Sequence, residues 1–245
     1  MRLSAASLAI VSALFTAAPC LAQDVFVPDN APWFIQKGDQ KSGVAIDLME
    51  MLSGRSQLRL EARGVPLARI GALLAARKPG EFAVFVRPDT LPDHVVELGD
   101  TFDVPLLAIA HEGEPPPVID RLRMVGKVGL VRGAARLLPP AFVAGLNVQE
   151  MPDVQAGLKM LEIGRLDAML LTTTEAGLIS EEQARKWHLG APVQVETLHV
   201  MLATNDVTAD SPEARDLAAA WSASLSDGSV AHLMAGPRGA AFSER

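Results

Sequence analysis

The segment 124–171 constrains the fold of this chain more than any other part of the sequence. A short β-prone run at 127–132 enters a Gly-Ala-Ala corner at Gly133. An amphipathic helical pattern then ends at a Gly-Arg pair and leads into a predicted buried strand at 167–171. Strands that alternate with helical patterns of about ten residues are typical of βαβ units. We therefore predict an α/β unit here, with a helix that begins at the Gly133 corner.

The remaining apolar patterns continue this alternation along the chain. The run 82–86 is continuously apolar, which is typical of a strand buried on both faces of a parallel sheet. Asp153 can N-cap the helix that precedes the Gly-Arg pair. The Gly- and Pro-rich segment 112–117 is the candidate boundary between two units. Further strands are predicted at 25–27, 58–62, 106–110 and 194–204, and further helices at 44–52, 67–76 and 211–224.

The first 22 residues are typical of an export signal. Arg2 supplies the positive charge, 8–15 form a short apolar core, and Cys20-Leu21-Ala22 fits the cleavage rule. This core is too short for a bilayer span, which needs about 20 residues. A buried N-terminal helix and a lipoprotein anchor at Cys20 are the alternatives. Because Cys20 is the only cysteine, the mature chain would have no thiol for a disulfide, a zinc site or a nucleophile.

Composition and motifs narrow the class of function. The formal charge of −7 argues against nucleic acid or an anionic membrane as the main partner. The five histidines are scattered without metal-ligand spacing, and neither a Gly-x-Ser-x-Gly elbow nor a P-loop occurs. We therefore expect a protein without a metal or cofactor and without enzymatic activity.

Several local motifs, in their order along the chain, resemble the bacterial extracellular solute-binding proteins of the amino-acid type, known as family 3. The resemblance implies an α/β fold of two lobes, each a mixed sheet flanked by helices, with two hinge crossings between them. Lobe one would comprise 23–110 and 198–245, and lobe two 111–197. The motifs are Pro32-Trp-Phe34, the Gly-x-x-x-Asp-Leu pattern at 43–48, Phe102-Asp-Val-Pro105, 128–133, and 161–168.

The resemblance also implies a ligand site between the lobes. Trp33 falls where the family places an aromatic ring against the ligand, although Trp33 or Phe34 could equally pin its loop to lobe one. Arg87 and Thr90 follow a strand end, where ligands of α/β sheets bind, and a guanidinium there could grip a carboxylate. Arg87 could instead pair with a nearby aspartate on the surface.

On lobe two, the resemblance points to Arg132, Gly133, Ala134 and Thr172. Gly133 would let a ligand approach the backbone amides at a helix start. Gly133 could also be a purely structural turn. Asp167 is expected to hold the turn after its helix.

The chain departs from the family at three ligand positions. Asp93-His94 stands where the family places a carboxylate-binding arginine. Ala134 lacks the usual hydroxyl, and Thr172 replaces the aspartate that receives the ligand's ammonium group. These changes argue against a standard α-amino acid as the ligand.

We therefore expect a monomeric periplasmic solute-binding protein that captures a small, polar, anionic metabolite by hinge closure for an ABC-type permease. The first alternative is an accessory protein of a periplasmic enzyme, such as a quinoprotein dehydrogenase, built on the same fold. The second is a periplasmic lyase that uses Glu175 as a cleft carboxylate. The more favoured interpretation of Glu175 is a solvated residue near a helix start.

Overall fold

The computed structural model describes residues 22–76, 81–86, 95–111, 118–124, 126–136, 138–203 and 211–239. Its strands are β1 (Gln23–Pro28), β2 (Ile35–Lys37), β3 (Gln40–Ser42), β4 (Leu60–Val65), β5 (Glu81–Val86), β6 (Val95–His111), β7 (Val128–Val131), β8 (Val148–Met151), β9 (Ala168–Thr172) and β10 (Trp187–Ala203). Its helices are α1 (Val44–Arg55), α2 (Leu67–Ala75), α3 (Ile119–Leu122), α4 (Pro140–Val143), α5 (Val154–Glu162), α6 (Thr173–Ala176), α7 (Glu181–Ala184), α8 (Pro212–Ser226) and α9 (Ser229–Gly239).

Two α/β halves share two long strands. Strands β4, β1 and β5 pair in parallel in the first half, and β8, β7 and β9 pair in parallel in the second. Between them, β6 and β10 run antiparallel to each other, each over 17 residues. Strand β5 pairs with the end of β10, and β9 pairs with the end of β6. We call the half with β1, β4 and β5 lobe one, and the half with β7, β8 and β9 lobe two.

Each lobe buries apolar side chains on both faces of its strands. In lobe one, α1, α8 and α9 cover one face around Leu48 and Trp221, and α2 covers the other through Ile70. In lobe two, α5 packs on one face through Leu158, and Phe142 of α4 packs on the other. Two helix-covered faces in each half explain why most residues of β5, β7 and β9 are apolar. The predicted fold class, with two lobes of mixed sheet flanked by helices, is confirmed.

The two crossings form one ribbon rather than two independent hinges. Because β6 and β10 pair along most of their length, the described strands other than the β2–β3 hairpin join in one eight-stranded sheet. A picture of two separate sheets would therefore be wrong. The ribbon is irregular: its register shifts between Leu189 and Pro192, between Pro192 and Gln194, and between Leu198 and Val200. Such irregularities interrupt the ladder and bend the strands.

Most of the predicted elements are present, with one clear correction. The helices predicted at 44–52, 67–76 and 211–224 correspond to α1, α2 and α8, and the Asp153 carboxylate accepts the Ala156 N–H at 2.7 Å as the cap of α5. The helix expected at Gly133 is instead a 3₁₀ turn, Ala134–Arg136, followed by one turn at α4. The cause is the pair Pro139-Pro140, since the residue before a proline is pushed toward extended backbone.

Three sequence-based predictions lie outside the described residues: the export signal with its cleavage site, the boundary segment 112–117, and the loop with Arg87 and Thr90. The residue bounds of the two lobes also stay a prediction. Within the described ranges, no helix has the length and apolar character needed to cross a bilayer.

Candidate functional site

The two lobes meet at the carboxyl ends of their parallel strands. The loop after β1 and the start of α2, which follows β4, contribute from lobe one. The turn after β7 and the short helix α6 after β9 contribute from lobe two. Residues after strand ends are the usual ligand-binding positions of open α/β sheets. This junction is therefore the candidate site.

Gly133 forms one contact between the lobes. Its φ of +89° lies in the left-handed region, and a Cβ built there would lie 3.1 Å from both the Cβ and the backbone N of Ala68 in α2. Its N–H donates to Glu150 Oε1 at 3.3 Å. Gly133 therefore allows a tight turn and a close approach of the lobes, and its amide has an acceptor within the protein.

Arg132 has a largely exposed side chain. Its side chain is 70% exposed, and its Nε lies 3.9 Å from Glu150 Oε2. Only a 3₁₀ turn follows Gly133. The expected helix start, whose N-terminus could favour an anion, is therefore absent at this residue. Ala134 is partly buried and packs against both cores of lobe two. The ligand roles of Arg132, Gly133 and Ala134 stay predictions.

Thr172 and Glu175 are joined in a buried capping box at the start of α6. Glu175 Oε2 accepts the Thr172 N–H at 2.9 Å and the Thr172 hydroxyl at 3.1 Å. The Thr172 hydroxyl oxygen in turn lies 3.2 Å from the Glu175 N–H, which donates to it. The Thr172 hydroxyl is thus already engaged within lobe two. Its predicted contact with a ligand stays a prediction.

Glu175 is buried, so the interpretation as a solvated residue is wrong. Asn30, in the loop after β1, hydrogen-bonds to its carboxyl group from the opposite lobe. Burial raises the pKa of Glu175 above its ordinary value, and the hydrogen bonds from Thr172 and Asn30 oppose that shift. The sequence contained a signal for this arrangement, because Thr-x-x-Glu after a buried strand is the capping-box pattern.

A second hydrogen bond joins the lobes beside Glu175. The Thr174 hydroxyl donates to the Met234 carbonyl of α9 at 3.0 Å, and both residues are buried. Met234 belongs to the core of lobe one. Among the described residues, the contacts that join the lobes include Gly133 with Ala68, Glu175 with Asn30, and Thr174 with Met234.

Trp33 and Phe34 are both buried in the core of lobe one. The carbonyls of Pro32 and Trp33 accept the first two N–H groups of α1, each at 2.9 Å. A Cβ at Gly43 would lie 2.6 Å from both carbonyl oxygens, so only glycine allows this close approach. The loop is thus pinned to its own lobe. Contact between Trp33 and a ligand stays a prediction, as do the roles of Arg87 and Thr90.

Asp167 has a structural role, although its bonds join two strands and do not lie within the turn after α5. Its Oδ2 accepts the Lys127 N–H at 2.6 Å, and its own N–H donates to the Lys127 carbonyl at 2.9 Å. These bonds join the starts of β7 and β9, at the end of lobe two away from the junction.

Glu175→Gln is expected to remove part of the pH dependence of stability. The raised pKa means that the folded protein binds this proton more tightly than the unfolded chain does. The stability from Glu175 is therefore complete below the ordinary pKa of 4.5, and it is lost as the pH rises through the folded-state pKa. Glutamine keeps an acceptor for the Thr172 N–H and carries no charge to bury.

Urea denaturation of the wild type and of Glu175→Gln, at about pH 4 and about pH 8, measures this effect. We expect the unfolding free energy of the variant, relative to that of the wild type, to be higher at about pH 8 than at about pH 4. Glu50→Gln, at an exposed position of α1, is the control. If the unfolding free energies of the wild type and the variant differ by the same amount at both pH values, the result would contradict burial of the carboxyl group.

Comparisons with known proteins agree with the fold. No protein-family model matches the sequence, and no curated protein matches it. Among solved structures, a mutant of ArgBP from T. maritima is similar over 87% of this chain and 93% of its own, with 15% identity and a TM-score of 0.65. A mutant of the Bordetella pertussis BvgS VFT2 domain is similar over 87% of this chain and 92% of its own, with 17% identity and a TM-score of 0.66.

The GluR0 ligand-binding core in complex with L-glutamate is similar over 89% of this chain and 98% of its own, with 14% identity and a TM-score of 0.68. At these identities the likeness concerns the fold. The chain therefore has the two-lobed fold of the amino-acid solute-binding proteins, and the resemblance seen in the sequence is confirmed at that level.

Proposed function

We propose that this chain is an exported periplasmic protein that binds a small polar metabolite between its two lobes and releases it when they open. The observation that carries the proposal is the junction itself. Loops and helix starts after the strand ends of both lobes meet there through Gly133 and Ala68 and through Glu175 and Asn30. Sites between lobes suit small ligands because both walls can bury the ligand and supply fixed polar groups. Closure would be a hinge motion in the β6–β10 ribbon.

The charge of the ligand depends on Arg87 in this proposal. An anionic metabolite was predicted from Arg87 and Arg132 together, but the Arg132 side chain lies largely in solvent beside Glu150. Glu175 adds a carboxyl group to the junction, and only its protonated form would tolerate an anion nearby. An anionic ligand would therefore need Arg87 as its main cation.

Calorimetric titration with separate panels of carboxylates, amino acids and neutral polar metabolites tests this function. We expect one class to bind with one ligand per chain. If the ligand is anionic, Arg87→Gln should lower its binding affinity by about tenfold or more, because a bidentate ion pair is lost. Arg132→Gln, the matched change on lobe two, tests the predicted ligand role of that residue, and a smaller loss is expected because its side chain is largely exposed beside Glu150. If no compound of any panel binds, the result would contradict the proposal.

Delivery to the permease of an ABC transporter is the proposed use of the bound ligand. The alternative is an accessory role beside a periplasmic enzyme. The observation in its favour is that polar groups of lobe two are engaged within the protein, namely the Gly133 amide with Glu150 and the Thr172 hydroxyl with Glu175. Purification of the tagged chain from periplasm decides between them, since an accessory protein should bring a stoichiometric enzyme with it. The lyase alternative would need the Glu175 carboxyl group as acid or base, and this group is engaged with Thr172 in the capping box.

A further inference from the structure

The short helix α6 brings buried polar groups of lobe two against lobe one. Glu175 and Thr174 lie next to each other on α6, and both are buried. Asn30, in the loop after β1, hydrogen-bonds to the Glu175 carboxyl group, and the Met234 carbonyl of α9 accepts from the Thr174 hydroxyl at 3.0 Å. Two separate elements of lobe one therefore pack around α6, the helix that carries this carboxyl group.

Separation of the lobes changes the surroundings of the Glu175 carboxyl group. Its bonds from the Thr172 N–H and hydroxyl lie within lobe two, so they persist in an open form. The bond from Asn30 and the packing of α9 on α6 come from lobe one, so opening removes them. Water then replaces both, and an ionised carboxylate is far more stable in water than in a buried site. Opening the lobes therefore favours ionisation of Glu175.

Burial, rather than a charged neighbour, controls the proton of this group. Burial raises the pKa of Glu175, and the described groups that oppose the rise are the hydrogen-bond donors of Thr172 and Asn30, which are not cations. The main elements around α6 are the loop after β1, α9, β6 and β9, and β9 has no titratable residue. The titratable residues on the others are Glu97 and Arg238, whose side chains lie outside the described ones, and Asp29, Asp100, Asp103, His111 and His232, which are all exposed.

The direction of the coupling follows from the two environments. Because burial raises the pKa of Glu175, the closed form binds this proton more tightly than an open form in which the carboxyl group meets water. The contribution of Glu175 to closure is complete below its ordinary pKa of 4.5, and it is lost as the pH rises through the closed-form pKa. Acid therefore favours closure, and a rise in pH favours opening.

We propose that Glu175 and Asn30 form a proton-dependent latch, in which the lobes close with a proton on the Glu175 carboxyl group and open when that group ionises. The latch rests on the lobe motion of the proposed function and makes that motion depend on pH. It acts before a ligand arrives, because the proton alone favours the closed form. A ligand that binds the closed form is then held more tightly at low pH and released more readily as the pH rises.

Pulsed electron resonance on the full chain, with no ligand added, tests the latch. Spin labels at Lys41→Cys in lobe one and Lys159→Cys in lobe two, in a Cys20→Ser background, report the separation of the lobes. The ratio of closed to open separations should fall as the pH rises from about 4 to about 8, by up to about tenfold per pH unit, the limit for one proton. Glu175→Gln should remove this fall, because its amide stays neutral at every pH.

Asn30→Asp is the second variant. It places a carboxyl group against Glu175, so like charges oppose closure at high pH and the fall should become steeper. The controls are Glu50→Gln on α1 and Asn147→Asp just before β8, the same two changes at exposed positions outside α6 and the loop after β1. Both controls should follow the wild type.

Three outcomes are decisive against the latch. A ratio that is independent of pH in the wild type, or that falls equally in Glu175→Gln, would overturn it. If a ligand from the panels still shifts the separation in that case, only the latch is wrong and the proposed function stands. A single separation at every pH and with every compound would contradict both.

Discussion

Gly133→Val is expected to keep the lobes from closing and to lower ligand affinity by about tenfold or more. Its Cβ would lie 3.1 Å from two atoms of Ala68, and valine adds two methyl groups to that contact. The φ of +89° is also strained for a β-branched residue. Overpacking of this kind costs about 1–3 kcal/mol, and 1.4 kcal/mol corresponds to a factor of ten. The substitution destabilises mainly the closed form, because opening the lobes separates Gly133 from Ala68.

Gly164→Val is the matched control for this substitution. Gly164 also has a positive φ, +68°, but a Cβ there meets nothing within 4 Å. Both variants should therefore lose stability from backbone strain, and only Gly133→Val should lose affinity. Calorimetry with a ligand from the panels, together with the radius of gyration from small-angle scattering, measures the difference. Equal affinity in the two variants would show that the Gly133–Ala68 contact does not take part in closure.

Trp221→Ala should lower the free energy of unfolding by about 3–5 kcal/mol, the range for large aromatic truncations in cores. Trp221 lies on α8 with 0% exposure, in the core that α1, α8 and α9 form over lobe one. Its indole N–H donates to the Asp100 carbonyl of β6. The side chain thus fixes one crossing strand to the body of lobe one.

Trp221→Phe separates packing from hydrogen bonding. Phenylalanine keeps most of the apolar volume but leaves the Asp100 carbonyl without this donor, so a smaller loss of about 1–3 kcal/mol is expected. Guanidinium denaturation gives both values. A loss below about 1 kcal/mol for Trp221→Ala would mean that lobe one does not depend on this core.

Local patterns were enough to predict the elements whose stability is local. The apolar spacing of α1 and α2 and the Asp153 cap follow from residues within a few positions of one another. The length of β6 and β10 does not follow from local residues. Asp103 and Pro105 interrupt the apolar pattern of β6, and the strand continues through them because both pair with β10, opposite Thr197 and Val195.

The site was harder to predict because its contacts join distant parts of the chain. Gly133 meets Ala68, and Glu175 meets Asn30, and no local pattern in the sequence connects these pairs. A solvated Glu175 is expected from the general exposure of glutamate, whereas the Thr-x-x-Glu spacing is the local pattern that indicates the capping box. A full helix is not formed after Gly133 because the Pro139-Pro140 pair follows within two turns.

The central claim is that the two lobes move about the β6–β10 ribbon and close on a small polar ligand. The most direct test is the distance between spin labels on Lys41→Cys in lobe one and Lys159→Cys in lobe two, in a Cys20→Ser background. Pulsed electron resonance, with and without each ligand panel, should show a distribution that shifts to the closed separation with one class of compound. A single separation that no compound changes would contradict the claim.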